Sequence, residues 1–349
     1  MHSDDVHLLS LSVCEAPYPA SQTDAKQFVS EMFRDGDFDL DATAAVYDNA
    51  GIKRRTFALP LERYAAGLGV AERNRLYIET AGRMLEQAAA QAVQPDLRNR
   101  VTHVVLVSST GIATPSLDCA VIESLGIHPD AQRIPVFGLG CAGGVAGLQL
   151  ARDLARSDPD ALVLVLCVEL TSLTLLVDDQ TRRNFVACAL FGDGAAAALI
   201  GGSSMPGRVR IGAGLCRLFP DTHELMGWDV RNEGWRVIFS PRIPAVVRAE
   251  VDGLVRAVAD PDTIRHFVLH PGGQKVLDAY REALGLGDSE MACATDVLAN
   301  HGNMSAVTVL FVLERFLSRA DGSPGRAILS AFGPGFTAQV LEMELLGAA

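Results

Sequence analysis

Apolar positions along this chain recur in two rhythms. Short continuous runs read as buried strands: His7 to Val13, His103 to Ser109, Leu162 to Cys167, Ala195 to Ile200, His266 to His270, Ala327 to Ala331 and Ala338 to Leu345. Between them, apolar residues recur at helical spacing over Asp24 to Arg34, Ala71 to Ala92, Leu117 to Leu125, Gly143 to Ala155, Ile243 to Val258 and Ala306 to Arg319. In the long Ala71 to Ala92 segment, Ala81, Met84 and Leu85 fall on one face and Arg73 and Arg75 on the other. Strands alternating with helices predict an α/β protein with a parallel sheet.

The pattern also repeats. Cys141 stands at a glycine turn opening a helix; the Leu162 strand follows, then Phe191-Gly-Asp-Gly194 and another strand. Asn303 likewise opens a helix; the Ala327 strand follows, then Phe332-Gly-Pro-Gly335 and the last strand. Pro206-Gly207 makes a seam between them. We therefore expect two similar α/β halves, residues 1–205 and 206–349, with a site between them.

Composition narrows the classes. The chain has 349 residues and a formal net charge of −12, the wrong sign for a nucleic-acid binder. The longest apolar run, Ala161 to Val168, is far short of the roughly 18 residues that cross a bilayer, so no membrane span is expected. Met1-His-Ser-Asp-Asp-Val6 lacks the cationic and apolar regions of a signal peptide. Seven cysteines without a CxxC pair suit reduced thiols, and the expectation is a cytoplasmic protein. Lysine occurs only at 26, 53 and 275, and Lys53-Arg54-Arg55 is the one run of three cations, the best candidate for gripping a phosphate.

Three polar residues at element ends can be aimed at one point. Cys141 lies between a short strand and a helix N-terminus, whose dipole favours thiolate. The same joint presents nucleophiles in other α/β enzymes. His270 ends a strand and Asn303 follows Gly302. Singly, these read as a buried thiol, a core histidine and a helix cap. Together they supply a nucleophile, its proton partner and two donors for a developing oxyanion.

Five ordered segments carry a resemblance: Gly140-Cys141-Ala-Gly-Gly144, Phe191-Gly-Asp-Gly-Ala-Ala-Ala197, His270-Pro-Gly-Gly273, Gly302-Asn303-Met-Ser305 and Gly333-Pro-Gly-Phe336. From about Ile52 onward the chain resembles the type III polyketide synthases, the chalcone synthase-like family. The resemblance implies a thiolase fold, five layers α-β-α-β-α from two duplicated halves, working as a homodimer. It implies that Cys141 takes a starter acyl group from a CoA thioester, while His270 and Asn303 hold malonyl-CoA for decarboxylation, with no metal or redox cofactor. By the same resemblance Lys53, Arg54, Arg55 and Lys275 meet CoA phosphates. Phe191 and Val237 match the two gatekeeper positions, and Thr114 a residue reaching across the dimer interface. Ser109, Thr174, Gly227 and Ser305 match cavity-lining positions. Met226 to Val230 with Ile238 to Pro244 is most similar to bacterial members that make alkylresorcinols and alkylpyrones from fatty acyl-CoA. Trp228 and Trp235 in that region read equally as packing aromatics. The competing readings are a single-step condensing enzyme of the 3-oxoacyl-ACP synthase III type, a chalcone synthase-like enzyme with an aromatic starter, and a non-catalytic acyl-CoA-binding subunit.

Overall fold

The computed structural model describes residues 5–319 and 324–347. Met1–Asp4, on which most of the reading of the N-terminus rests, lie outside the described residues. In chain order the first half comprises β1 (His7–Glu15), β2 (Tyr18–Ser21), α1 (Gln22–Met32), α2 (Leu40–Asn49), β3 (Arg54–Phe57), α3 (Leu61–Tyr64), α4 (Val70–Ala92), β4 (His103–Val107) and α5 (Asp118–Leu125). It continues with β5 (Gln132–Val136), α6 (Gly143–Arg156), β6 (Leu162–Leu170), α7 (Arg182–Leu190) and β7 (Asp193–Gly201). The second half holds β8 (Val209–Leu218), β9 (Met226–Arg231), β10 (Gly234–Phe239), α8 (Ile243–Val258), β11 (Ile264–Leu269), α9 (Gln274–Leu284), α10 (Asp288–His301), α11 (Thr308–Arg319), β12 (Gly325–Gly333) and β13 (Thr337–Leu345).

Nine strands form one sheet in the order β11-β12-β13-β8-β1-β7-β6-β4-β5. The expected parallel sheet is corrected here: only the outer pairs β11–β12, β4–β5 and β4–β6 are parallel, and the pairings from β6 across to β12 are antiparallel. The reason is that Asp193–Gly201 and Thr337–Leu345 return beside the preceding strand without a crossover that would carry them back to the same end. The two wings join where His7 and Leu8 pair with Arg210 and Val209.

Layers follow from which faces are apolar. β6 and β7 are buried along their whole length, with alternate residues on opposite faces. Leu162, Leu164, Leu166 and Val168 join the α4 core, while Val163, Val165 and Cys167 face a second core that contains α6 and α11. Helix α4 presents Tyr77, Ala81, Met84, Leu85, Ala88 and Ala92 as one buried stripe, as its periodicity predicted. Helix α6 touches β4, β6 and β7 of one wing and β8, β12 and β13 of the other, and α8 covers the far side of the second wing. The order α4, sheet wing, α6 with α11, sheet wing, α8 with α9 is the expected five-layered arrangement.

The site is positioned by the first turn of α6. Gly144 faces the Ala306 carbonyl so closely that a Cβ there would stand 2.2 Å from the oxygen and 2.8 Å from Val309 Cγ1. Only a residue without a side chain lets α6 approach the segment that follows Asn303. Gly144→Ala is expected to destabilise the protein by about 1–3 kcal/mol through overpacking, read as a lower thermal melting midpoint. An unchanged midpoint would show that the contact is slack.

Candidate active site

Cys141 sits in a 3₁₀ turn, Gly140–Ala142, that feeds directly into α6. His270 caps β11, and its backbone N–H donates to the Ser330 carbonyl (2.9 Å) of the neighbouring strand. Asn303 forms an isolated bridge with Phe191, through Asn303 N–H to the Leu190 carbonyl (2.9 Å) and Gly192 N–H to the Asn303 carbonyl (3.0 Å). All three side chains line one narrow pocket of about 10 Å³, with Met226, Phe239 and Phe332 among its other walls. The structure thus brings together three residues separated by up to 162 positions in sequence.

The Asn303 amide is oriented by its surroundings. Its Oδ1 accepts from Ser305 N–H (2.8 Å), and its Nδ2 donates one hydrogen to the Gly272 carbonyl (3.1 Å). One N–H is left for a ligand. The Cys141 thiol donates to the same Oδ1 at 3.9 Å. Both ring nitrogens of His270 are buried without a protein partner, so either can serve a ligand.

Burial sets the charge states. It pushes the Cys141 thiol up to about 12, with hydrogen bonds from Ser305 and Asn303 opposing and nearby Glu169 reinforcing the rise. It lowers His270 to about 3. Desolvation thus opposes the thiolate that the helix N-terminus favours, and it likewise disfavours a charged imidazole.

Glu169 was missed as a site residue, although a lone carboxylate inside an otherwise apolar strand was a visible signal. It is fully buried and accepts from Ser109 N–H (3.0 Å), the Thr110 hydroxyl (2.8 Å) and the Ser305 hydroxyl (3.3 Å). Burial raises its pKa to about 7 despite those bonds. Ser109 in turn accepts from Gly140 N–H (3.1 Å) and Gly138 N–H (3.2 Å), so the carboxylate braces the Cys141 turn from behind.

The other expected positions divide. Phe191, Val237 and Thr174 line a second, larger cavity next to the Cys141 pocket. Ser109 and Ser305 support Glu169 and Asn303 rather than line either cavity. Gly227 is corrected: β9 alternates, and Met226 and Trp228 face the cavities while Gly227 turns away. Thr114 is exposed in the loop after β4 and lines neither cavity.

Among the expected CoA contacts, Lys53 and Lys275 are exposed. Arg54 pairs with Glu15 (2.5 Å). Arg55 is corrected as a phosphate grip, for it is fully buried and donates to Gln22 Oε1 and to the Cys188 and Phe191 carbonyls. Its charge holds the backbone of Phe191 in place. The run of three cations straddles a strand, so alternate members point to opposite sides.

Two family models match the chain, chalcone and stilbene synthases N-terminal domain over residues 62–204 and C-terminal domain over residues 211–346. A 1,3,6,8-tetrahydroxynaphthalene synthase of Streptomyces peucetius subsp. caesius is 37% identical over 336 residues, 93% of this chain and 89% of that protein. A putative chalcone synthase of Bacillus subtilis (strain 168) is 34% identical over 354 residues, 96% of this chain and 97% of that protein. The crystal structure of 1,3,6,8-tetrahydroxynaphthalene synthase from Streptomyces coelicolor A3(2), a bacterial type III polyketide synthase, superposes with a TM-score of 0.90 at 25% identity, covering 98% of this chain and 99% of that one.

Glu169 raises the Cys141 pKa electrostatically. Above pH 7 it is mostly ionised, so Glu169→Gln removes a negative neighbour and must lower the thiol pKa. The pH dependence of Cys141 alkylation should move to lower pH in the variant. A midpoint that stays or rises would remove Glu169 from the electrostatics of the nucleophile.

Proposed function

The chain belongs to the chalcone and stilbene synthase family of type III polyketide synthases, and from that premise we propose that Cys141 carries a fatty acyl starter group through repeated malonyl-CoA condensation. The observation that carries this reading is the convergence of Cys141, His270 and Asn303 on one buried pocket. In loading, Cys141 Sγ attacks the thioester carbonyl, His270 takes the thiol proton, and CoA departs with that proton. The free N–H of Asn303 and an N–H of His270 then hold the carbonyl oxygen of malonyl-CoA. Loss of CO₂ leaves an enolate whose charge rests on that oxygen, and donors aimed there are worth about 2.7–4 kcal/mol each in a comparable site. The enolate carbon bonds to the acyl carbon on Cys141 and expels the Cys141 thiolate. The Cys141 thiolate then attacks the carbonyl of the new β-ketoacyl-CoA, CoA leaves and is protonated, and the cycle repeats before closure to an alkylpyrone, alkylresorcinol or related phenolic.

The exposed Lys53 and Lys275 are the cations available to CoA phosphates. No protein cofactor enters the scheme. We further propose a homodimer acting in the cytoplasm; among the described residues no helix is long and apolar enough to cross a membrane.

Incubation with lauroyl-CoA and labelled malonyl-CoA, without carrier protein, should give cyclised products carrying two or more extensions, by mass spectrometry. Cys141→Ala should give none while its circular dichroism is unchanged. A product that stops at one extension would replace this reading with the single-step condensing enzyme.

A further inference from the structure

Helix α7 makes its last internal bond from Phe191 N–H to the Ala187 carbonyl (3.1 Å). The carbonyls of Cys188, Ala189, Leu190 and Phe191 are then left without a partner in the helix. Each is claimed from elsewhere in the chain. Arg55 Nη1, from β3, donates to the Cys188 (2.7 Å) and Phe191 (2.6 Å) carbonyls. Gln22 Nε2, at the start of α1, donates to Ala189 (2.9 Å), and its Oε1 accepts from Arg55 Nε (3.0 Å). The Leu190 carbonyl accepts from the backbone N–H of Asn303 (2.9 Å). One helix end is therefore shared by a buried cation and by Asn303.

The two partners are also packed against each other. A Cβ on Gly302 would stand 2.7 Å from Arg55 Cδ and 2.8 Å from the Leu190 oxygen, and one on Gly192 would stand 3.5 Å from Arg55 Cβ. Glycine at both places lets the Arg55 stem lie against the segments that Asn303 and Phe191 bridge. The hydrogen-bond partners of Arg55 are an amide and two carbonyls, so its charge is set against the negative end of α7. Its Nη2 is buried without a hydrogen-bond partner, as is the hydroxyl of Tyr47, with which the guanidinium interacts. The side chain thus forgoes one nitrogen while Nη1 stays on both carbonyls.

We propose that Arg55 is a positioning residue for Asn303, acting through the end of α7. The inference rests on the reading of Asn303 as a donor to the malonyl carbonyl oxygen. Arg55 and Gln22 fix the carbonyls on either side of Leu190, and the Leu190 carbonyl fixes the Asn303 backbone. The Asn303 amide is thereby placed with its free N–H in the Cys141 pocket. Cys141 and His270 are carried by other elements, the turn before α6 and the end of β11. Loss of Arg55 therefore strikes the decarboxylation that uses Asn303, and spares the loading that uses Cys141 and His270.

Arg55→Lys keeps the charge but replaces the planar fork with a single nitrogen. It should lower kcat for release of labelled CO₂ from malonyl-CoA, by up to roughly a hundredfold, with KM little changed. Acylation of Cys141 by hexanoyl-CoA, followed by rapid quench and peptide mass spectrometry, should keep its rate. Gln22→Met, which frees the Ala189 carbonyl and retains the guanidinium, should act in the same direction to a lesser degree, and carries the test if Arg55→Lys does not fold. Hydrogen–deuterium exchange reads the cause without turnover: peptides spanning residues 189–193 and 301–305 should exchange faster in both variants, while those of α4 should not. Equal losses of acylation and decarboxylation, parental decarboxylation in both variants, or unchanged exchange around Asn303 would each overturn the proposal. Faster exchange in the variants of a parent that releases no CO₂ would count against the proposed function alone.

Discussion

The contact between the first turn of α6 and the segment after Asn303 is the constraint on which the rest depends. Cys141 comes from the first sheet wing, and His270 and Asn303 from the second. They share a pocket only because α6 and α11 pack between the wings and because Gly144 has no side chain to hold α6 away from the Ala306 carbonyl. The same region carries the electrostatic brace. Glu169, at the end of β6, reaches Ser305 on one side and, through Ser109, the Cys141 turn on the other. The Cys141 turn and the Asn303 amide are thereby tied to one buried carboxylate.

Burial explains much of the site's chemistry. Desolvation favours the neutral forms of the Cys141 thiol and the His270 imidazole, and both ring nitrogens of His270 are free of protein partners. In the proposed reaction, an enclosed, low-dielectric pocket would also strengthen the two donors aimed at the developing enolate. In the wall of the neighbouring cavity Thr171, Ser172 and Asn184 are engaged by backbone carbonyls and by Asp193, whereas Arg55 Nη2 is buried without a partner.

Much of this was legible in the chain. The helical stripe of α4 and the glycine turns around Cys141 and Asn303 are local patterns, and local patterns survive in sequence. The failures are of another kind. Arg55 sits in a cationic run that reads as surface, and only strand alternation with tertiary burial shows it pointing inward to carbonyls. Gly227 missed the cavity by one residue, because facing depends on the register of β9 with β10, which places Trp228 opposite Val237. The central antiparallel pairings went unread because strand direction depends on how connections are routed in space. Trp228 and Trp235, indistinguishable from packing aromatics in sequence, became cavity walls once α1 and α7 were placed against them.

The central claim is that Cys141 accepts the acyl group within a site completed by the second half of the chain. Its most direct test is peptide mass spectrometry of the protein quenched after mixing with lauroyl-CoA alone. The account predicts a single lauroyl adduct on the Cys141 peptide, with the other six cysteines unmodified. Acylation of another cysteine, or none at all under saturating lauroyl-CoA, would contradict it.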